Sequence, residues 1–327
     1  ANHVAVGYLA LTANTCGDNN TAVGRGSMQA TTTGSNNTAT GYLALYSQST
    51  GGQNTAIGVR AMQSNTTASY NTAVGTCTLY SNTTGCKNAA FGWKSGKANT
   101  TGIRNVMVGS GSLCGNTTGG ENTAVGYNTL RDNTTGDHNT AIGNQAMLCN
   151  TTGVYNVAVG PYTLYDNTTA DRNTAVGYAA MIRNSTGSYN VALGLCTLCA
   201  NTTGGYNTAT GAYALRSNTT GCWNTAHGYE ALCGNTTGGC NTAYGFNALY
   251  RNTTGYRNNA HGFKALCANT TGAHNTGIGY YALAANTTGT FNTAVGNSAL
   301  QQTTTGLKNA AIGNYSLYAN TTGSYNT

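Results

Sequence analysis

The chain has 327 residues, of which 6% are charged and 9% aromatic, with 46 glycines against a single proline, Pro161. A disordered polar chain carries more charge and fewer β-branched and aromatic residues, and collagen or a polyproline linker needs far more proline. The net charge of +7 arises from 14 basic and 7 acidic residues spread thinly, without the concentrated basic stripe that nucleic-acid binding requires, and no run approaches the roughly 18 apolar residues of a membrane span.

The first element, starting at His3, sets the plan for all that follow. Steps of 17 from His3 land on Asn20, Asn37, Asn54 and so on to Asn309 and Asn326, so residues 3–325 are nineteen 17-residue units without insertion or deletion. A fixed period of this kind marks a repeat architecture and takes precedence over any local reading. The chain begins two residues before a unit and stops two residues into another. It reads as one continuous array over 1–327, a window onto a longer fibre.

Positions within the unit are counted from its leading Asn. Position 3 is Ala in 17 of 19 copies, with Met107 and Gly277 as exceptions, and position 5 is always Gly. Position 8 is always Ala, Ser or Thr, and position 9 is Leu or Met except at Gly96. Helical repeats are excluded, because a helix pair needs about 30 residues and interior glycines cost about 1 kcal/mol each. The expected fold is all-β: a parallel β-solenoid or β-roll, one unit per coil, about nineteen coils. T-A-V-G-Y forms one short strand and the stretch around A-L a second, with N-T-T-G and the final pair as bends. Leu or Met at position 9 packs on the small residues at 3 and 8. The leading Asn is either an amide ladder between coils or a polar turn residue. Variable positions 4, 6 and 17 face outward, and their aromatic residues either ladder along the coils, pack against a neighbouring copy or contact sugar.

The N-x-T sequon at position 12 is the strongest chemical signal. It occurs at Asn65, Asn82, Asn99, Asn116, Asn133, Asn150, Asn167, Asn184, Asn201, Asn218, Asn235, Asn252, Asn269, Asn286 and Asn320. Glycan transfer needs an exposed, turn-forming Asn with a hydroxyl two residues on, so these are expected N-glycosylation sites, with the threonines as O-linked alternatives and plain Asn/Thr ladders as the other reading. The threonines at 13 and 14 also give two rows that an ice lattice could match. The seven acids form no cluster of acid, base and nucleophile, and the same-column pairs lie two coils apart, about 10 Å. Glu121 sits between Arg104 and His138 at position 17, as a surface ion-pair ladder. No catalytic residues, cofactor or metal site are expected. Of the 11 cysteines, Cys222 and Cys240 fall on adjacent coils within reach of a disulfide.

The phrase N-T-A-V-G-Y-x-A-L-Y-x-N-T-T-G resembles the 17-residue repeats of bacterial, phage and algal-virus fibre-like proteins, some of which end in a self-cleaving chaperone domain that assembles trimeric tail fibres. N-V-A-L-G at Asn190–Gly194 is similar to the head repeat of trimeric autotransporter adhesins, whose unit is shorter. The N-T-T column also looks like that of glycosylated extracellular fibrils. These resemblances imply a self-associating structural fibre outside the cell or on a virion, with the shaft of an adhesin or tail fibre as the alternative and an ice-binding solenoid as the lesser one. The implied partners are further copies of the chain and covalent glycans.

Overall fold

Between the leading Asn and the Gly at position 5 there is room for three residues of strand. In the computed structural model, which describes residues 2–327, every unit supplies one such strand at positions 2–4, for example Thr21–Val23 and Thr123–Val125. The middle residue points inward and is buried, while in these two strands its neighbours stay half-buried. Gly then ends the strand. Gly24 has φ +128°, and a Cβ there would stand 2.5 Å from the Gly41 carbonyl oxygen of the next coil. No other residue fits that close approach.

The chain divides into two compact units, one reaching Thr169 and the other Ala170–Thr327. In the first, ten strands from Val4–Val6 to Val157–Val159 pair in sequence order, each parallel to the next and offset by 17 residues, as Val4 with Thr21 and Thr140 with Val157. In the second, nine strands from Thr174–Val176 to Ala310–Ile312 do the same. Each unit is a parallel β-solenoid with one 17-residue repeat per coil, and no helix occurs among the described residues.

The second strand expected around A-L does not form. Positions 6–11 are a run of turns in which φ is positive at positions 7 and 9, +54° at Leu43 and +50° at Leu45, and again at position 17, +58° at Gln53. A strand needs negative φ throughout. The turns nevertheless ladder between coils: Leu45 N–H donates to the Ala61 carbonyl at 3.0 Å and Ser47 N–H to that of Gln63 at 3.0 Å. Positive φ is hardest for β-branched side chains. Positions 7, 9 and 17 accordingly hold no Val, Ile or Thr in any copy, although the chain is rich in Thr.

The core is thin. In a typical coil Ala56, Ala61 and Met62 are all fully buried. The two columnar exceptions explain each other. Gly96 lacks the usual large residue at position 9, and Met107 replaces Ala at position 3 of the following coil. A Cβ on Gly96 would lie 2.5 Å from the Met107 sulfur, so Met107 fills the space that Gly96 leaves.

Candidate functional site

Two amide ladders run inside the coils. At position 1, Asn37 donates its backbone N–H to Asn20 Oδ1 at 3.0 Å, its Nδ2 to the same oxygen at 3.2 Å, and Nδ2 again to the Gly51 carbonyl of its own coil at 3.0 Å. The N–H bond recurs in later coils, as Asn88 on Asn71 and Asn292 on Asn275, and the full set is seen again at Asn309 on Asn292. Of the two readings of this residue, the ladder is the one observed. His3 takes the Asn role in the first coil, its Nδ1 accepting the Asn20 N–H at 3.2 Å.

The sequon column forms the second ladder, and its expected exposure is corrected. Asn65, Asn82, Asn99, Asn116, Asn133, Asn150, Asn167, Asn184, Asn201, Asn218, Asn235, Asn252, Asn269 and Asn286 are all 0% exposed. Asn99 Nδ2 donates to Asn82 Oδ1 at 2.8 Å and to the Gly102 carbonyl at 3.1 Å; Asn235 does the same to Asn218 and Gly238 at 2.8 and 2.9 Å. Both amide hydrogens are engaged, and the side chain has no path to solvent, so the folded coil has no place for a sugar on these nitrogens. Asn320 in the last coil is half-exposed and donates to Gly323 at 3.1 Å. Gln48 substitutes within the ladder, giving Nε2 to Gly51 at 2.6 Å and accepting Asn65 Nδ2 at 3.2 Å. Thr31 and Thr303 interrupt it, and Asn14 Oδ1 and Asn286 Oδ1, which face them, are left buried without a partner.

The two threonine rows are not equivalent. At position 13 the hydroxyls are half-buried and donate to the next coil's carbonyl, as Thr100 Oγ1 to Thr117 at 2.9 Å and Thr253 Oγ1 to Thr270 at 3.1 Å. The position-14 residues are exposed in every coil, the position-13 threonines only in the first and last, at Thr15 and Thr321. The Cys222–Cys240 pairing is likewise corrected. Both thiols are free. Cys222 Sγ accepts the Gly205 N–H at 3.3 Å and approaches the Thr220 carbonyl at 3.4 Å, which directs it back along its own column. The disulfide joins Cys196 and Cys199, whose Cα atoms are 5.0 Å apart in one coil's turn run. The C-x-x-C spacing was the available signal for it.

Outside, the variable positions assemble aromatic columns, most extensively in the second unit. At position 6, Tyr229, Phe246, Phe263 and Tyr280 stack at 5.4, 5.2 and 5.2 Å with interplanar angles of 9–13°. At position 4, Tyr244 lies between His227 and His261 at 4.6 and 4.7 Å, and His227 Nδ1 also meets Thr210 Oγ1. At position 17, Tyr189, Tyr206 and Trp223 stack at 4.9 and 5.9 Å. Rings stacked in this way cover one another's faces and turn their edges to solvent. Sugar stacking needs free faces, so the columns serve first as ladders.

In the first unit, position 17 carries the expected ion-pair ladder. Arg104 and His138 contact the two oxygens of Glu121 at 2.6 and 2.8 Å, and His138 stacks on Tyr155 at 4.7 Å. The Arg104 hydrogen bond, more than any other influence, holds the Glu121 carboxyl below the usual glutamate range. No group of three or more His, Cys, Asp or Glu side chains converges as a metal site among the described residues, and no helix is long and apolar enough to cross a membrane.

No protein-family model matches the chain, and no curated protein matches it as a relative.

Proposed function

We propose that the chain is a structural segment of an extracellular fibre that associates with copies of itself. The observation that carries this reading is where the bonds of a coil go. Strand pairing, both amide ladders and the position-13 hydroxyls all reach the coil before or the coil after. Such bonding is indifferent to length and supports extension, and an uncovered strand edge templates further pairing. The position-6 stripe suits lateral packing of copies, since Tyr229, Phe246, Phe263 and Tyr280 form one exposed apolar column. The burial of the sequon asparagines argues against a sheath of N-linked sugar. One exposed threonine row in place of two weakens the ice-binding alternative.

The test is negative-stain microscopy with light scattering on the chain and on the Phe246→Lys/Phe263→Lys variant. Filaments or bundles are expected from the unaltered chain, with thinner or dispersed particles from the variant. A closed trimer that never extends favours the adhesin or tail-fibre shaft instead. Monodisperse monomers at every concentration overturn the proposal.

A further inference from the structure

The position-17 stack of the second unit lacks one ring. After Tyr189, Tyr206 and Trp223 the next coil places Cys240 where a ring would continue the column, and Gly239 beside it adds no side chain. The following coil restores bulk with Tyr256 and Arg257. These residues border an open cavity of about 410 Å³.

The dimensions suit one flat guest. Trp223 and Arg257 are two coils apart, about 10 Å at ordinary interstrand spacing. The stack itself puts one ring on each coil, at 4.9 and 5.9 Å. A single ring over Cys240 therefore meets the indole on one face at about 5 Å and, on the other, the side chain of Arg257, whose guanidinium lies 6.0 Å over the bordering Tyr256 ring, in the offset-stacked and cation–π arrangements that such groups favour. The receiving face is available: Trp223 is 62% exposed and stacks on Tyr206 by its opposite face.

The charge of the guest follows from its surroundings. Arg257 takes part in none of the ion pairs among the described residues. Asp171 and Glu230 are the only acids of the second unit, and neither borders the cavity. We infer that this slot binds one planar aromatic ring bearing a carboxylate or similar anionic group, stacked between Trp223 and Arg257 over Cys240. The inference stands apart from the fibre reading and does not depend on it.

Fluorine NMR of 4-fluorobenzoate titrated with the chain tests it. Saturable line broadening is expected, reversed by excess benzoate and at least tenfold less by cyclohexanecarboxylate, which has the charge but no flat face. Cys240→Tyr completes the column and should abolish binding, whereas Cys240→Ala should keep it. Arg257→Gln should weaken 4-fluorobenzoate several-fold and 4-fluorobenzyl alcohol, which loses the ring contact but has no charge to pair, by a smaller factor. Trp223→Ala removes one wall without filling the slot and should also lose binding, which keeps the test decisive should Cys240→Tyr fail to fold. Absence of saturable binding overturns the inference. So does undiminished binding by Trp223→Ala, or cyclohexanecarboxylate competing as well as benzoate.

Discussion

The Gly96–Met107 pair allows core packing to be tested by exchange. Met107 is fully buried, and its sulfur occupies the position that a side chain on Gly96 would take. Met107→Ala therefore leaves a cavity beside Leu79, a loss of about 2–5 kcal/mol. Gly96→Leu drives a Cβ to 2.5 Å from the Met107 sulfur and 3.0 Å from Leu79 Cδ2. Overpacking of that kind costs about 1–3 kcal/mol. Backbone strain adds little, because Gly96 has φ +60° and Leu79 in the preceding coil already adopts +48°. The double variant restores the Ala and Leu found in most coils, so it should lie within about 1.5 kcal/mol of the parent, as volume-conserving exchanges do. The assay is native-state hydrogen exchange on amides 88–121, since a repeat array need not unfold in two states. Each single variant should accelerate exchange across these coils, and the double variant should recover it. Equal additivity of the two losses would falsify the compensation.

Four further outcomes follow. Thr303→Asn gives Asn286 Oδ1 the donor it lacks, at the expense of the 3.0 Å bond from Thr303 Oγ1 to Asn320; a net gain of about 1 kcal/mol is expected in denaturant unfolding, and a loss would refute the ladder reading. Glycopeptide mass spectrometry should find Asn65 through Asn286 bare in folded material, and occupied sites there would contradict their burial. Glu121 has its folded pKa depressed, so the stability it contributes is present above the ordinary glutamate pKa and lost as pH falls through the lowered one. A carboxyl-carbon NMR titration should place its midpoint below that of an ordinary glutamate, and Arg104→Gln should raise it. Burial pushes the Cys233 and Cys267 thiols up, while Cys16 and Cys240 are exposed. Timed alkylation at neutral pH should label the exposed pair first, and early labelling of Cys233 would show that its coil opens.

The period, the parallel stacking and the inward Ala and Leu were all legible, because a 17-residue repeat forces identical side chains into register. The sequon column was harder. N-T-T-G has the same composition whether its Asn points in or out. Its direction is decided by two acceptors distant or unremarkable in sequence, the previous coil's Oδ1 and a carbonyl three residues on. A clue was present nonetheless. Position 12 accepts only Asn, Thr and Gln, whereas exposed position 17 takes Lys, Glu, Trp and Cys alike. The missing second strand had its own sign in the exclusion of β-branched residues from positions 7, 9 and 17, which reflects positive φ rather than packing. The slot at Cys240 became visible only once position 17 was known to stack.

The amide ladders also have a direction. Where two amides of a row are bonded, the later coil supplies Nδ2 and the earlier coil supplies Oδ1, as in Asn37 on Asn20 and Asn99 on Asn82. The carboxamide dipoles therefore align head to tail, and each bond polarises the next. One terminus of such a row offers hydrogens and the other offers lone pairs. Two like termini would oppose donor to donor or acceptor to acceptor, while unlike termini mate. Any end-to-end joining of these coils would thus be polar, a heterologous contact whose sense is set by the orientation of a buried side chain.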